Sequence, residues 1–367
     1  MVDCVGVLNL SSLQLPYSTD ELPGIGGELR ATPEHFVVEE VPLYEPQDEG
    51  EHLFVNLTKV GLTTRDVQQQ LARLFALTPG DIGYAGLKDK QARTTQSFSI
   101  FIGRKPASFV DEAAQRIAKQ LPVTVNWARL HKNKLRPGHL LGNRFQITVS
   151  ALQLLVSEIE LRTFAIAQQL LAQGLPNYFG PQRFGLNGDN VEKGRVLLLG
   201  TQRGGEPWLR RLLISGYQSW LCNQYLVRRV EQGFFHQLLA GDVAKKYATG
   251  GMFDVIDPTV EQPRYVAHEI SFTAPMFGAK MWPAKGDAGA LEAQILAEAE
   301  ITAEHLHKAK IEGTRRLGRL LLTDLQSQVG ENTLTLRFFL PKGAFATTVL
   351  REFIKGDLPN TPELDEE

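Results

Sequence analysis

Residues 334–340 read Leu-Thr-Leu-Arg-Phe-Phe-Leu, in which Leu334, Leu336 and Phe338 alternate with polar side chains, as in a half-buried strand. This stretch follows a loop-rich middle segment that contains Gly250-Gly251 and Gly286-Asp287. A strand in this position predicts that the end of the chain returns to a sheet begun in the first half, with a second domain inserted between. A tandem of two domains would give a similar pattern, so periodicity alone leaves both arrangements open.

The first half of the chain contains the other predicted strands of this sheet and two predicted helices. Three segments alternate in the same way, at 98–102, 123–126 and 145–149, and residues 53–60 have strand composition. Thr63 followed by Asp66 is an N-terminal capping signal, and Gly174 suits the C-terminal cap of a helix over 156–173. Further helices are predicted at 209–230, at 291–305 and after residue 343. The patterns indicate mixed α and β structure.

Composition excludes several classes of protein. The 367 residues are 43% hydrophobic and 22% charged, and no apolar run approaches the roughly 18 residues of a membrane helix. Cys4 and Cys222 are too few for a disulfide framework or a four-cysteine zinc site. The N-terminus lacks a secretion signal, so the cytoplasm is the expected location. Gly24 to Gly27 lack the last glycine of a dinucleotide loop, and neither a cofactor nor a metal is expected.

Charge is distributed unevenly along the chain. The net charge is −2, from 39 basic and 41 acidic side chains. Between Ala113 and Ser157 there is no Asp or Glu, and seven basic side chains occur there: Arg116, Lys119, Arg129, Lys132, Lys134, Arg136 and Arg144. This basic stretch is compatible with a nucleic-acid surface and equally with a solvated face balanced by acids elsewhere in the fold.

One segment combines the residue types of a catalytic site. Residues 83–96 place Asp89 between Lys88 and Lys90, just after two glycines and just before a strand. A carboxylate flanked by cations stays ionised near neutral pH, and it can then serve as a nucleophile or base without a metal. A polar turn could have the same Lys-Asp-Lys sequence, so spacing alone leaves both interpretations open.

Two further segments have the composition of a nucleic-acid site. Residues 177–185 combine aromatic rings, which can stack on exposed bases, with Arg183, which can bind phosphate. Asn143 and Phe145 lie two residues apart at the start of a strand and therefore point to the same side. There the amide could bond the edge of a base while the ring packs on its face. A packed turn braced by Arg183, and core packing of Phe145, fit the sequence as well.

The same segments occur together in one protein family. Gly-Leu-Lys-Asp-Lys at 86–90, Gly-Asn-x-Phe at 142–145 and the nine residues 177–185 closely resemble the bacterial TruD family of tRNA pseudouridine synthases. Matches at 33–38, 343–347 and 349–352 extend the resemblance, in order, over essentially the whole chain.

The resemblance implies particular roles for individual residues. Asp89 would be the catalytic aspartate of a reaction that detaches uracil from C1′ of its ribose and reattaches it through C5, by an acylal-type or a glycal-type route. Arg30 is expected to pair with Asp89 and so to lower the pKa of the carboxylate and fix its rotamer. The expected substrate-binding residues are Phe36, Lys88, Asn143, Phe145 and Arg183.

The resemblance also implies an architecture and a partner. The expected fold is α/β (α+β), with a pseudouridine-synthase-like catalytic domain around a mixed, largely antiparallel sheet. That domain is expected to comprise residues 1–168 and 316–367, with an inserted α/β TruD domain over 169–315. RNA is expected in the cleft between the domains, along the basic stretch, and the implied substrate is uridine 13 in the D-arm of tRNA. A monomer is expected.

Two other functions use the same residues. An RNA-binding protein could keep this fold without catalysis, although such a role does not require the carboxylate of Asp89. A hydrolase could use Asp89 to cleave the base from the ribose and release it. Tritium loss from C5 of labelled uridine, as opposed to release of free uracil, distinguishes isomerisation from hydrolysis.

Overall fold

A computed structural model describes residues 15–106, 108–185, 188–200 and 206–356. Cys4, the start of the chain and the acidic tail at 363–367 lie outside these residues. The described chain divides into two compact units. The large-sheet unit comprises residues 25–164 and 322–346, and the small-sheet unit comprises 15–24, 165–321 and 347–356, apart from the gaps named above. The expected domain boundaries at 168/169 and 315/316 stay a prediction.

The large-sheet unit contains eight strands. Numbered along the chain, they are β1 (Phe36–Pro42), β2 (His52–Lys59), β3 (Ile82–Tyr84), β4 (Arg93–Phe101), β5 (Val123–His131), β6 (Leu140–Val149), β13 (Gln326–Val329) and β14 (Leu334–Pro341). They form one sheet in the order β13-β14-β6-β1-β4-β2-β5, with β3 paired to β4. In this sheet β1 and β4 are parallel and the other described pairs are antiparallel. The prediction of a mixed, largely antiparallel sheet is confirmed.

The last strand pairs with a strand from the first half of the chain. β14 lies antiparallel beside β6, with Phe338 opposite Phe145 and Leu340 opposite Asn143. The predicted return of the chain to its first sheet is therefore confirmed. The alternation seen in the sequence has the expected cause, since Leu334, Leu336 and Phe338 are buried.

Three helices begin in this part of the chain, namely α1 (Thr64–Phe75), α2 (Ser108–Gln120) and α3 (Val156–Gln173). The part of α3 from Ala165 onward belongs to the small-sheet unit. The predicted capping box of α1 is present, because Thr63 Oγ1 accepts from the Asp66 amide while Asp66 accepts from the Thr63 amide. After α3, Gly174 has φ +69°, as its predicted capping role requires.

Apolar burial between β2, β4 and the helices forms the core of the large-sheet unit. Leu53 and Val55 of β2 and Phe98 of β4 are fully buried in one cluster with Leu71 of α1 and Ile117 of α2. Each such side chain contributes roughly 1.5–3 kcal/mol relative to an exposed position. This packing holds the strands that carry the polar residues described below.

The small-sheet unit contains the remaining strands and helices. Its strands are β7 (Leu175–Pro176), β8 (Val243–Lys246), β9 (Met252–Asp254), β10 (Ile270–Met276), β11 (Thr314–Leu317) and β12 (Arg319–Leu320). Four of them form an antiparallel sheet in the order β11-β10-β8-β9, and β7 pairs with β12. The helices are α4 (Asp189–Leu199), α5 (Pro207–Glu231), α6 (Pro258–Val266), α7 (Gly286–Glu298), α8 (Ala303–Lys308) and α9 (Ala346–Ile354).

One predicted helix is wrong. The segment 291–305 was expected to be a single helix, but α7 ends at Glu298 and α8 begins at Ala303. Between them Glu300 adopts a left-handed φ of +59°. The hydroxyl of Thr302 accepts the amide of His305 and so caps a new helix, because a Thr side chain favours an N-cap over a helix interior.

Buried arginines cross-link the small-sheet unit. Arg229 of α5 is fully buried, and its Nη1 lies 2.8 Å from Asp242, which is also fully buried. The Arg229 guanidinium carbon lies 3.9 Å from the centroid of the Phe272 ring. Arg315 of β11 makes a second buried pair with Glu292 of α7, at 2.6 Å.

Candidate active site

Asp89 lies in the turn between β3 and β4, and side chains of neighbouring residues hold the backbone of this turn by hydrogen bonds. The buried ammonium of Lys59 donates to the carbonyls of Lys88 and Asp89, each at 3.3 Å. The hydroxyl of Thr64 accepts the Lys88 amide at 2.8 Å. The carboxylate of Asp89 accepts the Gln91 amide at 2.9 Å, in the manner of an Asx turn. The position of the carboxylate is therefore specified by several contacts.

Arg30 is the ionic partner of Asp89. Its Nη1 lies 2.7 Å from Oδ2 of Asp89, and the two side chains are 14% and 10% exposed. The Arg30 guanidinium also lies over the ring of Phe36, 4.4 Å from its centroid. Arg30 has a left-handed φ of +61°, a strained conformation for a non-glycine residue. The expected pairing with Asp89 is present, and the catalytic role of both residues stays a prediction.

Lys88 makes a different ion pair. Its Nζ lies 3.0 Å from Oε2 of Glu40, and both side chains are less than 5% exposed. The same Nζ donates to Oδ1 of Asn143 at 2.9 Å. Lys90, the other lysine that flanks Asp89, is exposed. The cation that pairs with Asp89 is thus Arg30, while Lys88 binds two groups on neighbouring strands.

Glu40 was not identified from the sequence, although a signal was present. In β1, Phe36, Val38 and Glu40 occupy alternate positions and are all buried. A charged residue on the buried face of a strand is rarely found without a partner. Glu40 lies opposite Asn143 in the pairing of β1 with β6, which explains why one lysine reaches both.

Three phenylalanine rings line up across β1, β6 and β14. The ring centroids of Phe36 and Phe145 are 6.4 Å apart at an interplanar angle of 80°. Those of Phe145 and Phe338 are 5.5 Å apart at 26°. All three rings are at least nine-tenths buried, so core packing of Phe145 is observed. Phe338 was recognised from the sequence as a strand residue but not as part of this cluster.

The structure therefore brings most of the predicted site residues together. Asp89 contacts Arg30, Arg30 contacts the Phe36 ring, and Phe36 packs against Phe145. Lys88, next to Asp89 in the chain, reaches Asn143. The group consists of Arg30, Phe36, Lys88, Asp89, Asn143 and Phe145, all within the large-sheet unit.

Arg183 belongs to the small-sheet unit. Its guanidinium donates to the hydroxyls of Ser215 at 2.6 Å and Ser219 at 3.3 Å, both on α5. Within the same motif, Tyr178 and Phe184 are buried. These contacts describe a packed turn braced by an arginine, and binding of RNA by Arg183 stays a prediction.

The C-terminal motif has a structural explanation in the small-sheet unit. Glu352 is 1% exposed and accepts the amides of Ser18 and Thr19 at 3.1 and 3.0 Å. The Arg351 guanidinium lies 4.1 Å from the centroid of the Tyr17 ring. The Val-x-Arg-Glu match thus fastens residues 17–19 to α9.

Part of the basic stretch is balanced by acids of the same unit. Arg129 lies 2.6 Å from Asp48, and Lys132 lies 2.5 Å from Glu49. For these two residues the structure shows a balanced, solvated face.

The described part of the chain contains no group of three or more His, Cys, Asp or Glu side chains that could hold a metal ion. Nor does any helix there have the length and apolarity needed to cross a bilayer.

Comparison with known proteins assigns the family. The family model described as tRNA pseudouridine synthase D (TruD) matches residues 12–204 and 205–353. The tRNA pseudouridine synthase D of a Thermus thermophilus strain is 44% identical over 340 residues, covering 93% of this chain and 92% of that protein. The protein of the same name from an Anaeromyxobacter species is 43% identical over 360 residues, covering 96% and 99%.

A solved structure supports the same assignment. The crystal structure of a putative tRNA pseudouridine synthase D from Methanosarcina mazei superposes with a TM-score of 0.72 at 25% identity, covering 93% of this chain and 96% of that chain. The fold and the relatives together show that this protein is an isomerase of the pseudouridine synthase class. The chain belongs to the TruD family of tRNA pseudouridine synthases.

Proposed function

We propose that this chain isomerises uridine 13 in the D-arm of tRNA to pseudouridine, with Asp89 as the catalytic carboxylate. The observation that carries the proposal is the carboxylate of Asp89, ion-paired with Arg30 beside the rings of Phe36 and Phe145. Action as a monomer in the cytoplasm belongs to the same proposal.

The reaction transfers the base without oxidation or addition of water. The N1–C1′ bond breaks, the base turns, and a C5–C1′ bond forms. The proton on C5 is lost to solvent, and N1 gains a proton. Asp89 assists by attacking C1′ or by acting as a base on the sugar. Both roles need an ionised carboxylate in a fixed position, which the Arg30 pair and the Gln91 amide support.

The target uridine must leave its base stack to reach Asp89. The rings of Phe36 and Phe145, with the fully buried Phe338 packed on Phe145, give the site a rigid apolar wall, and a uracil ring would pack against the small part of Phe36 and Phe145 that stays exposed. Because the rings are packed on one another, this wall is formed before RNA binds and loses little side-chain freedom on binding.

Lys88 determines which hydrogen-bonding groups Asn143 offers. An ammonium group only donates hydrogen bonds, so its 2.9 Å contact requires the amide oxygen of Asn143 to face Lys88. The amide hydrogens of Asn143 are then the donors presented to a ligand. Uracil has an accepting carbonyl at C4, where cytosine has a donating amino group. The Glu40–Lys88–Asn143 chain thus favours uracil over cytosine.

We predict that breaking the contacts among Glu40, Lys88 and Asn143 reduces the preference for uracil. The double variant E40Q/K88Q removes both buried charges together, because K88Q alone would leave Glu40 unpaired at a cost of about 3–5 kcal/mol. With a glutamine at 88, which both donates and accepts, the Asn143 amide can turn over. The ratio of affinities for tRNA with uridine or cytidine at the target position should fall about ten-fold or more.

The matched control is the other flanking lysine. K90Q removes an exposed charge from the same turn and should keep the wild-type ratio of affinities. Circular dichroism establishes that the double variant is folded. A folded E40Q/K88Q protein with an unchanged uridine-to-cytidine ratio would show that the Asn143 orientation does not select the base.

The position of modification is tested by mapping the product. Unmodified tRNA transcripts are incubated with the enzyme, treated with a carbodiimide that marks pseudouridine, and read by primer extension. We expect one new stop, on the 3′ side of position 13, and none in a transcript with cytidine there. A stop that maps to another uridine, with none that maps to position 13, would contradict the assignment.

A further inference from the structure

The large-sheet unit contains a cavity that the proposed reaction does not use. It has a volume of about 470 Å³, within the roughly 300–1,000 Å³ of small-molecule sites. Its walls come from Tyr44, just beyond β1, from His131 at the end of β5, and from the loop that leads into β6. His139 in that loop precedes Asn143 by four residues, a span of about 14 Å along an extended strand. The wall of the cavity at His139 therefore lies within about 14 Å of Asn143.

Aromatic contacts fix the shape of one wall. The Tyr44 hydroxyl is hydrogen-bonded to Nδ1 of His139 at 2.8 Å. The Tyr44 ring stacks on the His131 ring, with centroids 5.1 Å apart and an angle of 17°, and Phe54 packs against His131 at 4.7 Å. These rings leave little freedom for rearrangement, so this wall exists before a ligand binds.

His131 has a buried polar atom that the protein does not satisfy. The residue is 5% exposed, and its Nδ1 has no hydrogen-bond partner among the described residues. Burial, and then the charge of Lys132, lower the pKa of His131, so its imidazole is neutral at pH 7. An unsatisfied buried polar atom costs about 1–3 kcal/mol, and the neutral imidazole contributes an aromatic ring to the wall of the cavity.

Neither of the two cations that line the cavity forms an ion pair among the described residues, although hydrogen bonds from Thr78 and then the charge of Lys134 lower the pKa of the nearby Asp81 carboxyl. Arg129 and Lys132 pair with Asp48 and Glu49. Arg136, by contrast, lines the cavity, is exposed and has no ion pair within the described residues. Lys134 also lines it and binds the carbonyl of Gly80, a neutral acceptor.

One carboxylate also lines the cavity. It belongs to Glu45 and lies 3.8 Å from Nη1 of Arg129. Arg129, which does not line the cavity, therefore partly balances the charge of Glu45. The cavity thus combines an anion-binding edge with a polar and aromatic wall.

We propose that this cavity is a second nucleotide site, with the phosphate at Arg136 and Lys134 and the base against Tyr44, His131 and Asn133. The inference rests on the proposed function, because it takes the nucleotide to be a neighbour of the target uridine in the same RNA. A nucleotide supplies both a phosphate for the cationic edge and a flat, hydrogen-bonding ring for the wall. Occupation of this site would hold the RNA while the target uridine turns toward Asp89.

The test compares R136Q with K132Q, each of which removes one exposed cation from the same loop. Affinity for tRNA is measured at several salt concentrations, and the single-turnover rate is measured with enzyme in excess. R136Q should reduce the slope of log affinity against log salt by about one and weaken binding about ten-fold, with the saturated rate within about two-fold of wild type. K132Q, whose charge Glu49 already balances, should leave the slope unchanged.

A second variant tests whether a base occupies the site, and a free nucleotide tests whether the ligand must be part of an RNA. N133A should weaken tRNA binding without changing the salt slope, since it removes a base contact and no charge. Uridine monophosphate is added as a competitor. Competition in wild type but not in R136Q assigns the site to free nucleotides as well, and no competition restricts it to RNA.

Equal effects of R136Q and K132Q, or no effect of R136Q, would overturn the inference. The same samples are assayed for pseudouridine. A wild-type protein that forms no pseudouridine contradicts the proposed function. Normal pseudouridine formation with an unaffected R136Q variant contradicts only the second site.

Discussion

The Asp89→Asn variant is expected to form pseudouridine at least roughly 10⁴-fold more slowly than wild type, a loss of about 5.5 kcal/mol of transition-state stabilisation. The amide keeps the shape of the side chain and can still accept the Gln91 amide, but it carries no charge and is a poor nucleophile and base. Affinity for tRNA should stay within about two-fold, because phosphate contacts elsewhere supply most of the binding. Single-turnover assays with excess enzyme separate the two effects.

A matched carboxylate-to-amide change serves as the control. Glu112 is exposed on α2, and E112Q should leave both rate and affinity unchanged. An Asp89→Asn protein that still isomerises uridine at more than a tenth of the wild-type rate would remove Asp89 from the mechanism. A protein that loses tRNA binding to the same extent as activity would instead assign Asp89 to recognition.

The Arg229→Met variant should lower the free energy of unfolding by about 3–5 kcal/mol. The change leaves the carboxylate of Asp242 fully buried without its cation, and among the described residues this carboxylate then accepts a hydrogen bond only from the amide of Leu239. Urea-induced unfolding can be followed by tryptophan fluorescence, because Trp220 is buried in the same unit. D242N should have an effect of similar size, since it leaves Arg229 unpaired.

The neighbouring arginine provides the control for this prediction. Arg228 pairs with Glu298 at 3.0 Å, but the two side chains are 29% and 48% exposed. Arg228→Met should therefore cost no more than about 1 kcal/mol. Equal losses for the two variants would show that burial of the Arg229–Asp242 pair is not what makes it stabilising.

Local signals in the sequence predicted much of the fold. The capping pair of Thr63 and Asp66, the glycine at 174 and the alternation at 334–340 each depend on neighbouring residues, and each appears as expected. The break near Glu300 was missed because helical periodicity continues through it. A single Thr cap at 302 then outweighed that pattern.

Contacts between distant residues could be predicted less well. The pairing of Arg30 with Asp89, 59 positions later, followed from the family resemblance and not from spacing. Glu40 and Lys59, which hold Lys88 and the Asp89 turn, were not identified, because each depends on the register of strands brought together only by folding. The basic stretch looked uniform in sequence, whereas the fold separates Arg129 and Lys132, which are paired, from Arg136.

The reaction itself is tested most directly with tRNA that carries tritium at C5 of uridine. We predict that one equivalent of tritium is released to solvent per target uridine and that the uracil ring is retained in the RNA as pseudouridine. The same release should be absent with Asp89→Asn. Free uracil among the products, or RNA bound with its tritium intact, would contradict isomerisation at this site.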